Sequence, residues 1–264
     1  MSRDETIRAA GDGRAHAQAG SGQAGIGPQQ VALRIVAAIP AGWRRVRLWF
    51  ELVVLFVGIP SLVAAYFDNF LAWGALGAFS LVAILVLMGT VAAVLLAITP
   101  GFSFRRLLNG PVLREWKLIL GCTALVGVVC SAVVLILLPQ NFLGLPVYDR
   151  SVWFVILGAY PVLSALPQEL IYRALFFERY GALFPGPIAA VAANGAVFGF
   201  GHLFYMQAVT VALAAAWGAL IGWAYLTRGR SVLLTWLLHS IAGWLIFTSG
   251  LGVYFHSGAV APMP

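Results

Sequence analysis

Charge is what this chain has least of: 9% of its residues are Asp, Glu, Lys or Arg, where a soluble domain carries about a quarter. Such a surface cannot be well solvated, which excludes an ordinary globular domain. The only two cysteines, Cys122 and Cys130, lie eight positions apart in one apolar run. A helix there separates their α-carbons by about 12 Å, too far for a bridge, so they read as small buried apolar residues. No H-E-x-x-H spacing occurs, which removes the usual single-helix sign of a zinc protease. No basic stripe interleaves with aromatics, so nucleic acid is not an expected partner. No continuous apolar stretch precedes Leu48, so the first helix is expected to remain as a membrane anchor rather than serve as a signal peptide.

What the chain has is apolar length. Hydrophobic residues make up 61% and the mean hydropathy is +0.93. Residues 1–42 are rich in Gly, Ala, Gln and Arg and are expected to form a disordered cytoplasmic tail, with a transmembrane domain over 43–264. About seven apolar segments follow, at 48–67, 71–98, 117–138, 152–177, 187–206, 208–226 and 231–255. Each is near the roughly 20 residues needed to cross a bilayer, and each must satisfy its own backbone hydrogen bonds. The expected fold class is therefore all-α, a polytopic membrane helical bundle of about seven transmembrane helices. The basic residues alternate by loop: Arg44, Arg45 and Arg47 precede the first segment, Arg105, Arg106, Arg114 and Lys117 follow the second, Arg179 follows the fourth, and Arg228 and Arg230 precede the seventh. Only Arg150 falls on the other side, which predicts a cytoplasmic N-terminus and an external C-terminus, with the excess of basic charge meeting anionic lipid. Fifteen arginines against one lysine, with abundant Ala and Gly, suggest a GC-rich bacterial genome and hence the bacterial cytoplasmic membrane.

Against this background three ionisable positions stand out, since each costs roughly 3 kcal/mol in hydrocarbon. Glu169 lies in the fourth segment, His202 in the fifth and His239 in the seventh. Pro167 is expected to kink or break its helix just before Gln168 and Glu169, and broken helices at membrane depth line cavities. Glu169 can pair with Arg173 four positions on, or serve as a base for water; the two roles are compatible. Asn194, Phe198 and His202 recur every four residues and share one helical face. Gly195-x-x-x-Gly199 and Gly218-x-x-x-Gly222 supply small faces that allow close helix approach and place the fifth segment inside the bundle. His16 and His256 lie outside these segments and need no catalytic explanation.

Gln168-Glu169-x-x-x-Arg173, Phe198-x-x-x-His202 and His239-x-x-x-Gly243 together resemble the three-motif pattern of the CPBP family (CAAX protease and bacteriocin-processing, or Abi), whose eukaryotic members are the type II CAAX prenyl endopeptidases. The family pattern reads E-E-x-x-x-R, F-x-x-x-H and H-x-x-x-N or D, and the resemblance covers about 152–250. It implies a helical membrane peptidase in which the first motif's leading glutamate and the second motif's histidine activate water, while the third motif's histidine and amide hold the oxyanion. Two positions depart: Gln168 stands where the leading glutamate would be, and Gly243 where the amide would be. A glutamine orients water but takes no proton from it.

The expected activity is hydrolysis of a peptide bond in a membrane-associated protein or peptide. Glu169 is the expected base or base-supporting carboxylate, His202 the water-activating partner, His239 the oxyanion donor and Gln168 a water-orienting group. Arg173 is the counter-ion, and Phe198 and Asn194 support, Asn194 being also a candidate for the lost amide. No cofactor is expected. Zinc on Glu169, His202 and His239 is the less favoured alternative, since a zinc site can use two imidazoles and a carboxylate. Two other classes remain: a proton- or ion-coupled transporter using the same ionisable set, and a catalytically altered scaffold that binds a membrane protein through its glycine faces.

Overall fold

The computed structural model describes residues 41–72, 75–108, 110 and 112–255. The tail expected over 1–42 therefore lies outside the described residues as far as residue 40, as do His16 and His256. Among the described residues every regular element is helical. Seven helices among these residues are long and apolar enough to cross a membrane: Gly42–Ala65, Ser80–Ala97, Val112–Leu137, Arg150–Leu183, Pro187–Tyr205, Ala208–Thr227 and Val232–Ser249. They are called the first to seventh spans below. Large apolar side chains such as Leu87, Val128, Ile136, Phe154 and Ile188 point outward, as a lipid-facing surface requires. The first span begins earlier than its apolar run, taking Trp43, Arg44, Arg45 and Arg47 into its opening turns. Arginine is a good helix former, and its long stem keeps the charge near water.

Apolar burial does not drive helix association in lipid, so close packing of small residues must. The fifth and sixth spans show how. A Cβ added at Gly195 would lie 2.8 Å from the Ala215 carbonyl oxygen, and one at Gly199 would lie 2.7 Å from the Ala215 Cβ. From the other side, Gly218 admits Phe198 and Gly222 admits Asn194, with added Cβ atoms 2.7 and 2.8 Å from those side chains. The two glycine pairs thus seat the polar face of the fifth span inside the bundle.

At Pro167, where a kink or a break was expected, the fourth span is not broken. It continues as helix, with a wide turn over Pro161–Ala165, one α-turn over Leu166–Glu169, and further widened turns over Leu170–Tyr180. Two prolines share the distortion, and tryptophans of the seventh span absorb it. Pro161 has no N–H to give the Leu157 carbonyl four residues back. The Trp244 indole donates to that oxygen instead at 2.9 Å, and Trp236 donates to the Pro161 carbonyl at 2.7 Å. Trp153 adds a third link through the Thr248 hydroxyl at 3.0 Å. The first half of the fourth span is thereby fastened along the seventh, which sets the helix carrying Gln168 and Glu169 beside the one carrying His239.

Ion pairs close one end of the bundle. Arg179 grips both oxygens of Glu51 at 2.8 and 3.1 Å, Arg230 reaches Glu178 at 2.9 Å, and Arg228 reaches Glu115 at 3.2 Å. These residues come from the start of the first and third spans, the end of the fourth, and the turn between the sixth and seventh.

Candidate active site

Adjacent residues on a helix point about 100° apart, and Gln168 and Glu169 accordingly face different surroundings. Glu169 faces inward and is fully buried, 0% exposed, as is Arg173. Its Oε1 accepts a hydrogen bond from His239 Nδ1 at 2.7 Å, and its Oε2 lies 3.4 Å from the Arg173 Nε. The guanidinium is held further by the Asn194 Oδ1, which accepts from Nη1 at 2.6 Å, and by the Phe198 ring 4.8 Å from its central carbon. Asn194 then donates its amide to the Tyr172 carbonyl at 2.5 Å. Both polar ends of Asn194 are therefore committed to the fourth span, and it does not line the cavity described next. Buried charges persist only when paired in this way.

Gln168 faces a cavity of about 320 Å³. Its walls include Tyr160, Ser164, Gln168, Phe198, His202, Tyr205, His239 and Gly243. The Gln168 amide nitrogen donates to the Ser164 hydroxyl at 2.9 Å, one turn earlier, which leaves its carbonyl oxygen as an acceptor. A second cavity, of about 160 Å³, lies against the first and second spans and shares Ser164, Gln168, His202 and Tyr205 with the larger one.

The two histidines reach the cavity from different helices. His202 caps the end of the fifth span, and its Nδ1 is 2.8 Å from the Phe198 carbonyl oxygen. A carbonyl can only accept, so Nδ1 carries the hydrogen and a neutral ring keeps its lone pair on Nε2. His239, 4% exposed, is turned by Glu169 so that its Nε2 is likewise the free nitrogen. Neither Nε2 has a hydrogen-bond partner among the described residues. The Phe198 ring lies between them, 4.8 Å from the His202 ring and 5.6 Å from that of His239.

The structure thus brings Gln168, His202 and His239 to one cavity wall and sets Glu169, Arg173 and Asn194 behind it as a buried network. Among the described residues no three His, Cys, Asp or Glu side chains are grouped as metal ligands. Spacing did not reveal Tyr160, Ser164 or Tyr205. The one available signal was that Tyr160, Ser164 and Gln168 recur every four residues.

Residues 149–245 match the family model for type II CAAX prenyl endopeptidase Rce1-like proteins, a stretch that contains all three motifs and agrees with the CPBP resemblance. Neither the curated proteins nor the solved structures yield a match. The match supports a CAAX-protease-type membrane endopeptidase in general.

Proposed function

From the match of residues 149–245 to the Rce1-like family model, we propose that the protein hydrolyses a peptide bond of a membrane-associated protein or peptide through water activated at His202. One observation carries this reading: two imidazoles from separate helices present free Nε2 atoms to a single cavity that Gln168 also lines.

In this scheme the Gln168 carbonyl oxygen accepts from a water and orients it, and His202 Nε2 takes the water's proton as its oxygen attacks the scissile carbonyl carbon. The developing oxyanion accepts from His239 Nε2–H. Glu169 acts as the supporting carboxylate here: one proton is shared between its Oε1 and His239 Nδ1 and a second sits on Nε2, so the pair is net neutral and the adjacent Arg173 guanidinium adds positive charge behind the oxyanion. The C–N bond then breaks as His202 returns its proton to the leaving amine. One water is consumed, and a carboxylate and an amine are released.

No metal takes part in these steps, and a chelator should leave turnover unchanged. In this reading the protein sits in a bacterial cytoplasmic membrane with its N-terminus inside, as its basic residues favour, and acts on a membrane peptide within the bilayer. The departures at Gln168 and Gly243 favour one second reading, a catalytically altered member that binds such a peptide without cutting it.

Single replacement of His202, His239 or Glu169 by Ala in liposome-reconstituted protein tests the scheme. Each should lower cleavage about 100-fold or more while the variant remains a folded, monodisperse protein. Normal turnover in all three would remove the site, and binding without cleavage by the native chain would favour the second reading.

A further inference from the structure

The third motif is one donor short, because Gly243 has no side chain to place beside His239, one turn away on the same face. That space is filled from the fourth span. A Cβ built on Gly243 would overlap the Tyr160 ring, whose Cδ1 would lie 2.8 Å from it and whose nearest atoms also include Cζ, the carbon bearing the hydroxyl. The Tyr160 ring therefore fills the space that a side chain at position 243 would have to enter. The Tyr160 ring meets His239 edge-on with centroids 6.0 Å apart, and Phe247 at 5.8 Å holds its orientation. Tyr160 lines the same cavity as His239, His202 and Gln168, and its hydroxyl makes no hydrogen bond among the described residues.

We propose that Tyr160 is a catalytic residue of this chain, donating its phenolic hydrogen to the oxyanion in place of the amide that Gly243 lacks. The inference rests on the hydrolase reading above and extends it. A phenol is a competent oxyanion donor, since a tetrahedral intermediate needs only preorganised O–H or N–H groups aimed at the developing charge. A side chain at 243 and the Tyr160 ring in this position exclude one another, because the two cannot share the space.

Tyr160→Phe keeps the ring and its packing and removes only the hydroxyl. The assay uses liposome-reconstituted protein and a quenched fluorescent peptide ending in a farnesylated CaaX sequence, with the unfarnesylated peptide alongside. Tyr160→Phe should lower kcat about 100-fold or more, with KM and melting temperature close to those of the parent. The double variant Tyr160→Ala, Gly243→Asn restores an amide and the room for it, and should recover about tenfold or more over Tyr160→Ala alone. Unchanged kcat in Tyr160→Phe, with His202→Ala inactive, overturns the inference and leaves the hydrolase reading intact. A double variant that melts like the parent yet stays at the Tyr160→Ala level also overturns it. Equal cleavage by the parent and His202→Ala, or none by either, removes the hydrolase reading and this inference with it.

Discussion

Gln168 and Glu169 show how far one peptide bond can separate two roles. Glu169 meets His239 and Arg173 in a sealed interior, and Gln168 meets a cavity. Gln168→Glu would place a proton acceptor on the cavity wall that His202 also lines, so turnover should be preserved or raised; a large drop would mean that the water lies elsewhere. Arg173→Ala removes the counter-charge from a carboxylate with no access to water and empties the space below the Phe198 ring. It should destabilise the protein by about 3–5 kcal/mol, read as a lowered unfolding midpoint in detergent. Unperturbed stability would show that the remaining partners of Glu169, His239 among them, suffice to hold it. Motif spacing made the Glu169–Arg173 pair legible, because both lie on one helix four residues apart. The double engagement of Asn194 was not legible, because its partners, Arg173 and the Tyr172 carbonyl, lie more than twenty positions away on another helix.

Among the elements, the two glycine motifs were readable as packing faces, and their reciprocal fit is what seats Phe198 and Asn194. Gly195→Ala must push aside the Ala215 carbonyl oxygen, 2.8 Å from the new Cβ, whereas Gly127→Ala meets nothing within 4 Å. The first change should cost about 1–3 kcal/mol of stability and the second almost nothing, as thermal unfolding of the two variants would reveal. Equal behaviour would mean that the fifth and sixth spans do not rely on this contact. The fourth span was read less well. Pro167 was read as the site of a kink or a break, and the helix passes it unbroken, with widened turns on either side. The missing information was the partner of the carbonyl that Pro161 leaves unsatisfied, which Trp244 supplies from more than eighty residues further along the chain.

For the molecule as a whole, composition was enough to give an all-helical membrane bundle, since seven apolar segments have no other way to satisfy their backbones in lipid. Its orientation is a further expectation from charge placement. The ends bearing Arg47, Glu115, Glu178 and Arg230 lie on one face, tied by the ion pairs to Glu51 and Arg228, and that face should be cytoplasmic. Leu113, 89% exposed at that end, and Tyr148, 73% exposed at the other, give a simple check as single-cysteine substitutions. An impermeant maleimide should label the position 148 variant in intact cells and the position 113 variant only after permeabilisation; the reverse pattern would invert the topology. The substrate bond itself offers the most direct test. Reconstituted protein is incubated with the farnesylated CaaX peptide in ¹⁸O-labelled water, and the fragments are weighed by mass spectrometry. Hydrolysis at the cavity should give two fragments with one ¹⁸O in the new carboxylate, and His202→Ala should give neither. An intact peptide, or the same fragments from both proteins, would contradict the account.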